Sequence, residues 1–227
     1  MRQLHRPVSA DLARGLGAPS RIYALGMWRR LLVAVVTVGA VAAAGSAQAS
    51  DPWKPLYRPL RLPAMASDGS CPVSAVATAN FRKYGVAPGI GRGPAYPVGF
   101  GQPGSVLRFE FPPSERSVFA GSEWSGQKVL WFVSPSYRGR LLIRGGRIDA
   151  AGELRFNSGQ MTAAVLRVPS REIRIAVGLR GGNPAVKLVG QRYRPSFTRV
   201  QTAGCYAYQI DGTTFSRAIV FSASAVT

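Results

Sequence analysis

Turn-forming residues constrain this chain more than any other feature. It carries 26 glycines and 17 prolines in 227 residues, where a usual domain has about 12% of the two together. That load argues against a helical bundle. The apolar fraction of 46% is enough for a packed core, so the chain is not a disordered basic tail either. Between the turn formers lie short segments with strand periodicity. Val106–Phe111 alternates, with Leu107, Phe109 and Phe111 on one face and Arg108 and Glu110 on the other. Gln127–Val133 is a near-continuous apolar run, as in a central strand. Arg140–Arg144 sets Leu141 and Ile143 against the arginines. Further strands are expected at Glu153–Phe156, Ala163–Val168, Glu172–Val177, Ala185–Val189, Phe197–Val200, Cys205–Ile210 and Phe215–Phe221. The breaks are turn chemistry: Gly145-Gly146, Ala151-Gly152, Asn157-Ser158-Gly159, Gly181-Gly182-Asn183-Pro184 and Asp211-Gly212. Asp-Gly between strands is a strong hairpin signal. About ten short strands at this spacing imply an all-β, antiparallel β-sandwich. Ser74–Phe81 is the best candidate for a short helix.

Ahead of this domain stand two other segments. Met27-Trp28-Arg29-Arg30 is positive, Leu31–Ala44 carries no charge, and Ala47-Gln48-Ala49 precedes Ser50. Positive start, apolar middle and small residues at −3 and −1 make an export signal, with cleavage expected between Ala49 and Ser50. The apolar run is shorter than the roughly 20 residues that span a bilayer. Translation starts either at Met1, which gives a long basic lead, or at Met27. Residues 1–49 are therefore read as a signal peptide with that lead. Residues 50–70 are read as a proline-rich extended segment, and 71–227 as the domain. Trp53, Leu56, Tyr57, Leu60 and Leu62 suggest that the extended segment packs on the domain.

Removing 1–49 changes the chemistry available. That segment holds six arginines and one acid out of 29 basic and 10 acidic residues, which leaves 23 against 9, a net charge of +14. It also holds His5, the only histidine. The exported part then has no imidazole, which rules out Ser-His and Cys-His nucleophilic sites, His-ligated zinc and histidine acid–base work. Cys71 and Cys205 remain. An even cysteine pair in an oxidising compartment reads as a bridge, here between the beginning and the end of one domain.

Gly204-Cys205-Tyr206-Ala207-Tyr208-Gln209-Ile210-Asp211-Gly212, with Phe215–Phe221 after it, resembles the Gly-x-Tyr strand and closing hairpin of immunoglobulin-like sandwiches. More of the chain resembles an uncharacterised family of exported bacterial proteins. The matching pieces are Leu60-Arg61-Leu62-Pro63, Cys71-Pro72-Val73-Ser74, Gly91-Arg92-Gly93-Pro94-Ala95-Tyr96-Pro97, Gln127-Lys128-Val129-Leu130-Trp131, Leu142-Ile143-Arg144-Gly145 and the Gly-Cys-Tyr hairpin. The resemblance implies export, an immunoglobulin-like sandwich and the cysteine pair. It carries no activity.

Catalytic patterns are weak. Asp149 and Glu153 flank a turn, and Glu123 lies beside Trp124, but a glycosidase needs one carboxyl with a raised pKa. Among so many cations, acids are held ionised instead. Ser74 and Lys83 do not fit Ser-x-x-Lys, and no Gly-x-Ser-x-Gly elbow occurs. Gly89-Ile90-Gly91-Arg92-Gly93 lacks the spacing of a phosphate cradle and reads as a turn. The expectation is a non-catalytic protein with no cofactor and no metal. The basic surplus is the positive signal. Arg138, Arg140 and Arg144 share parity beside Tyr137, and Arg192 and Arg194 flank Tyr193. Arginine interleaved with tyrosine suits an acidic polymer, held by charge and stacking. No nucleic-acid-binding motif is present. Three classes stay open: an exported domain with a structural or binding role at the cell envelope, a binder of acidic envelope polymers, and a carboxylate-dependent glycan hydrolase. Nineteen of the 23 cations after residue 49 are arginine, so a purely compositional surplus also stays open.

Overall fold

Among the described residues, the apolar alternation resolves into nine strands in two sheets. The computed structural model describes residues 50–100, 105–157, 161–170 and 192–226. In chain order the strands are β1 (Ala95–Val98), β2 (Val106–Glu110), β3 (Ser125–Val133), β4 (Leu141–Arg147), β5 (Arg155–Phe156), β6 (Leu166–Val168), β7 (Arg192–Val200), β8 (Gly204–Gly212) and β9 (Ser216–Val226). One sheet has the order β1-β3-β7-β5, the other β2-β9-β8-β4-β6. The only helical elements among the described residues are 3-10 turns at Lys54–Leu56 and Arg82–Tyr84. The chain is all-β, as its turn load requires.

The two sheets share one core. Val129, Trp131 and Val133 of β3 join Leu107, Phe109, Leu141, Ile143, Tyr208 and Phe221 of the second sheet. Trp131 meets Tyr208 edge-on, with ring centroids 5.0 Å apart. The Tyr208 hydroxyl lies 2.5 Å from that of Thr198 on β7, which ties the sheets across the core. β3 is apolar on both faces because its other side is covered too. Phe132 packs with Phe81, Val98 and Tyr193 in a second cluster.

Several expectations change. The second sheet is mixed, because β2 runs parallel to β9, with Val106 opposite Ser222 and Glu110 opposite Val226. Hairpins force antiparallel pairing; a connection as long as 111–215 does not. β1 escapes the alternation pattern because Pro97 interrupts it; proline is tolerated there because β1 is the outermost strand of its sheet, with only the short bridge of Val98 to Gly89 on its other edge among the described residues. β7 starts at Arg192, ahead of the expected Phe197, and carries Pro195 inside it. Its ladder to β5 involves only Thr198 and Arg199, so Pro195 sits where β7 has a free edge among the described residues.

Ser74–Phe81 is not a helix. Val76 bridges Ile90, and the Ser74 amide donates to the Val220 carbonyl at 2.9 Å, so sheet pairing takes the backbone groups that a helix would use. Asp211-Gly212 is not the turn either. Both residues lie in β8, and the turn is Thr213-Thr214, closed by Gly212 N–H to Phe215 C=O at 2.9 Å. Gly212 is needed for close approach: a Cβ there would stand 2.5 Å from the Phe215 ring. The expected strands Glu172–Val177 and Ala185–Val189, the turn at 181–184, most of the turn at 157–159 and the signal segment with Ala49 lie outside the described residues.

Cys71 and Cys205 form a disulfide, with Cα atoms 5.6 Å apart across a sequence separation of 134. It sits against Leu62, Met65, Ile148, Ala207 and Val220 on the side of β8 that faces away from the shared core.

Candidate functional site

The proline-rich segment is strapped across the outer side of the second sheet. Leu142, on the opposite side of β4 from Leu141 and Ile143, is fully buried. The strap explains why the alternation expected in β4 fails. Leu56 is buried, while Tyr57 and Leu60 stay largely exposed. Gln209 clamps the strap by its backbone: its Nε2 donates to Pro59 O at 3.0 Å, and its Oε1 accepts from Arg61 N at 2.5 Å. Arg144 donates to Arg58 O at 2.5 Å and to Asp211 Oδ2 at 2.7 Å. Asp211 is fully buried and also accepts from Ser216 Oγ at 2.7 Å and Gln209 Nε2 at 3.1 Å. Arg58 reaches back to the Phe215 carbonyl. A buried carboxylate is tolerable only when so fully paired.

This strap builds the densest cation–aromatic cluster among the described residues. Two guanidiniums lie over Trp53, with Arg140 Cζ at 6.0 Å and Arg167 Cζ at 5.8 Å from its ring. Arg167 donates to the Tyr57 hydroxyl at 2.9 Å, and Arg144 lies over the Tyr57 ring at 5.8 Å. Arg140 and Arg167 are exposed. Their charges are held in place by ring contacts while their outward sides remain open to water.

The arginines expected to form a stripe are only partly brought together. β4 begins at Leu141, so Arg138 and Arg140 lie in the loop before it and share no strand face with Arg144. Arg138 is exposed. Arg144 is committed to Asp211, with its side chain 16% exposed, so it is not a free surface charge. Tyr137 is an internal brace: its hydroxyl donates to Arg140 O and accepts from Thr213 N, both at 2.8 Å. Arg192 is buried at 2% exposure and donates to the Pro169 carbonyl and, at 3.1 Å, to Tyr137 O. Burial depresses its pKa below the ordinary arginine value. Arg194 is half-buried, two residues along the same side of β7. Neither flanks an open face, because that side of β7 looks toward the core. Trp53, Tyr57 and Arg167 join the cluster although no charge pattern in the sequence marks them. The available signals were the aromatics in the strap and the lone arginine in Leu166-Arg167-Val168.

Of the candidate carboxylates, Asp149 and Glu153 are taken by arginines, and Glu123 forms no ion pair among the described residues. Asp149 accepts from Arg147 at 2.7 and 3.1 Å, and this hydrogen bond holds its carboxyl below the ordinary value. Glu153 accepts from Arg155 Nε at 2.7 Å. Each acid thus has its own cation on one arm of the β4–β5 turn. Ser74 accepts from Val220 N at 3.0 Å, a structural role. Burial pushes the Tyr208 phenol far above its ordinary pKa. Among the described residues no group of His, Cys, Asp and Glu is arranged to hold a metal ion, and no helix is long and apolar enough to cross a membrane. Comparison with family models, with curated proteins and with solved structures returned no match.

Proposed function

We propose that this protein is an exported, non-catalytic, immunoglobulin-like sandwich that binds acidic polymers of the cell envelope through the cluster around Trp53. One observation carries the reading. Of the 19 Lys and Arg among the described residues, only Arg144, Arg147 and Arg155 form an ion pair with a carboxylate there. Arg140 and Arg167 are instead exposed and lie over a ring. Arg140 and Arg167 share one indole on a surface held by the strap, with Arg138 and Lys54 exposed nearby in sequence. A fixed array of exposed guanidiniums draws polyanions by charge, and phosphate or carboxylate groups suit its fork geometry. The disulfide fits an oxidising compartment, which supports export. The sequences of residues 27–49 supply the signal. N-terminal sequencing of protein from the culture medium is expected to begin at Ser50; a cell-bound form retaining Leu31–Ala44 overturns export.

Binding to inorganic polyphosphate and to hyaluronate, with neutral dextran as control, tests the polymer reading. Affinity for both acidic polymers is expected to fall linearly with the logarithm of salt concentration, and dextran is expected not to bind. Changing Arg140 and Arg167 together to Gln removes two contacts and lowers the slope by roughly 1.5. Both side chains are exposed, so each change costs less than about 1 kcal/mol of stability. No binding to either acidic polymer at low salt leaves the alternative, a structural envelope domain whose charge is compositional.

A further inference from the structure

A second surface, built from the residues that follow the strap together with β9, has the features of a peptide site. Ser74 lies beside β9. Its amide donates to Val220 O at 2.9 Å, and its hydroxyl accepts from Val220 N at 3.0 Å. Val220 therefore turns its backbone groups away from β8. Alternate residues of an antiparallel strand do the same, so Ala218 presents its N–H and C=O to that same edge. β2 pairs with β9 only from Ser222 onward, and no described residue takes up the Ala218 backbone. From Ser74 the chain diverges from β9: Ala77 N bonds Gly89 O at 2.9 Å, and Gly91 N bonds Ala75 O at 2.8 Å. The divergence opens a groove of about 610 Å³ between Ser74–Thr78, the turn at Gly91-Arg92, and Arg217-Ala218.

The groove depends on glycine at its head. Gly91 has φ +81, and a Cβ there would stand 2.7 Å from the Ile219 side chain. Only glycine lets this turn lie so close to β9. The lining side chains near the free edge are small, and its two charged members, Arg92 and Arg217, are both exposed and positive. Neither forms an ion pair among the described residues, and no acid is among the described residues that line the groove.

We propose that this groove takes an extended acidic peptide, which adds as a strand along the free edge of β9 at Ala218 and sets its carboxylates on Arg92 and Arg217. Backbone donors and acceptors at strand spacing recognise a peptide main chain. The two guanidiniums select acidic side chains over basic ones. The volume lies within the range of ordinary ligand clefts. The site is independent of the cluster around Trp53.

The test is fluorescence anisotropy with a labelled, N-acetylated octapeptide of alternating valine and glutamate, on the purified protein at low salt. Binding is expected, and a valine–lysine peptide is expected not to bind. Ala218→Pro removes the edge N–H at a position where proline fits an edge strand, and is expected to weaken binding about tenfold or more. Arg217→Gln weakens it as well and flattens its salt dependence. In the unaltered protein, hydrogen exchange at the Ala218 amide is expected to slow when the acidic peptide is added, a readout that does not depend on any variant folding. The joint Arg140→Gln and Arg167→Gln variant retains peptide binding, which separates this site from the polymer site. Failure of the acidic peptide to bind, or binding that leaves Ala218 exchange unchanged, overturns the proposal. So does binding that Ala218→Pro does not weaken, since charge alone then accounts for it.

Discussion

Asp211→Ala is expected to destabilise the protein by about 3–5 kcal/mol, the usual cost of breaking one side of a buried ion pair. The carboxylate is fully buried and accepts from Arg144, Gln209 and Ser216. Truncation leaves three donors facing a void. Arg144 keeps 16% of its side chain exposed and can recover some hydration, which places the loss nearer 3 than 5 kcal/mol. For a domain whose total stability is about 5–15 kcal/mol, that is a large share. The midpoint in urea falls while the slope is kept. Asp211→Asn keeps the shape and one acceptor oxygen, so it is expected to cost about half as much. A second readout reports the strap. Gln209 and Arg144 hold Pro59, Arg61 and Arg58 by backbone groups and are themselves oriented by Asp211. Trypsin is therefore expected to cleave after Arg61 faster in Asp211→Ala than in the unaltered protein. Equal cleavage and an unchanged urea midpoint would show that the network does not hold the strap.

The all-β class was legible because period-two alternation is a direct imprint of a sheet with one wet face. Val106–Glu110 shows it cleanly: Leu107 and Phe109 are buried, Arg108 and Glu110 exposed. The same logic misled at β4. Arg140 and Arg144 looked like a wet face, yet Leu142 between them is buried, because a segment some eighty residues earlier in the chain covers that side. Period-two reasoning has no term for such a cover. Asp211-Gly212 failed for a related reason. A turn signal is local, whereas Asp211 is drawn into β8 by a partner on another strand, Arg144. Ser74–Phe81 was misread because its backbone partners, Gly89, Gly91 and Val220, are distant in sequence. The basic–aromatic site was half legible. Arg140 and Arg138 are exposed as expected, but the residue that brings charges together is Trp53, and nothing in the sequence places it beside Arg140 and Arg167. Charge counting pointed to arginine; the strap is what sets Arg140 and Arg167 over one ring.

Loss of the Cys71–Cys205 bridge is expected to cost about 2–5 kcal/mol, measured as the fall in urea stability of Cys205→Ala or of the reduced protein. The chain-entropy model gives about 5 kcal/mol as an upper figure for a loop this long, since the bonded residues are 134 apart. Replacement by alanine adds little further penalty, because Cys205 sits in an apolar cluster with Ala207 and Val220. Native protein is expected to show no thiol that reacts with iodoacetamide, and two after unfolding with reductant. One reactive thiol per chain under native conditions would contradict the bridge. The bridge also acts on the strap. Cys71 fixes its distal end to β8, so the clamp at Pro59 and Arg61 closes only a short loop from that anchor. With the bridge cut, that end is held instead by the hydrogen bonds of Ser74 to Val220, and docking at Gln209 weakens. Cys205→Ala and Asp211→Ala are therefore coupled through one segment. Combined, they are expected to cost less than the sum of their separate losses, by at least about 0.5 kcal/mol, because the bridge-free chain has already lost part of the docking that Asp211→Ala removes. Strict additivity would mean that bridge and clamp hold the strap independently.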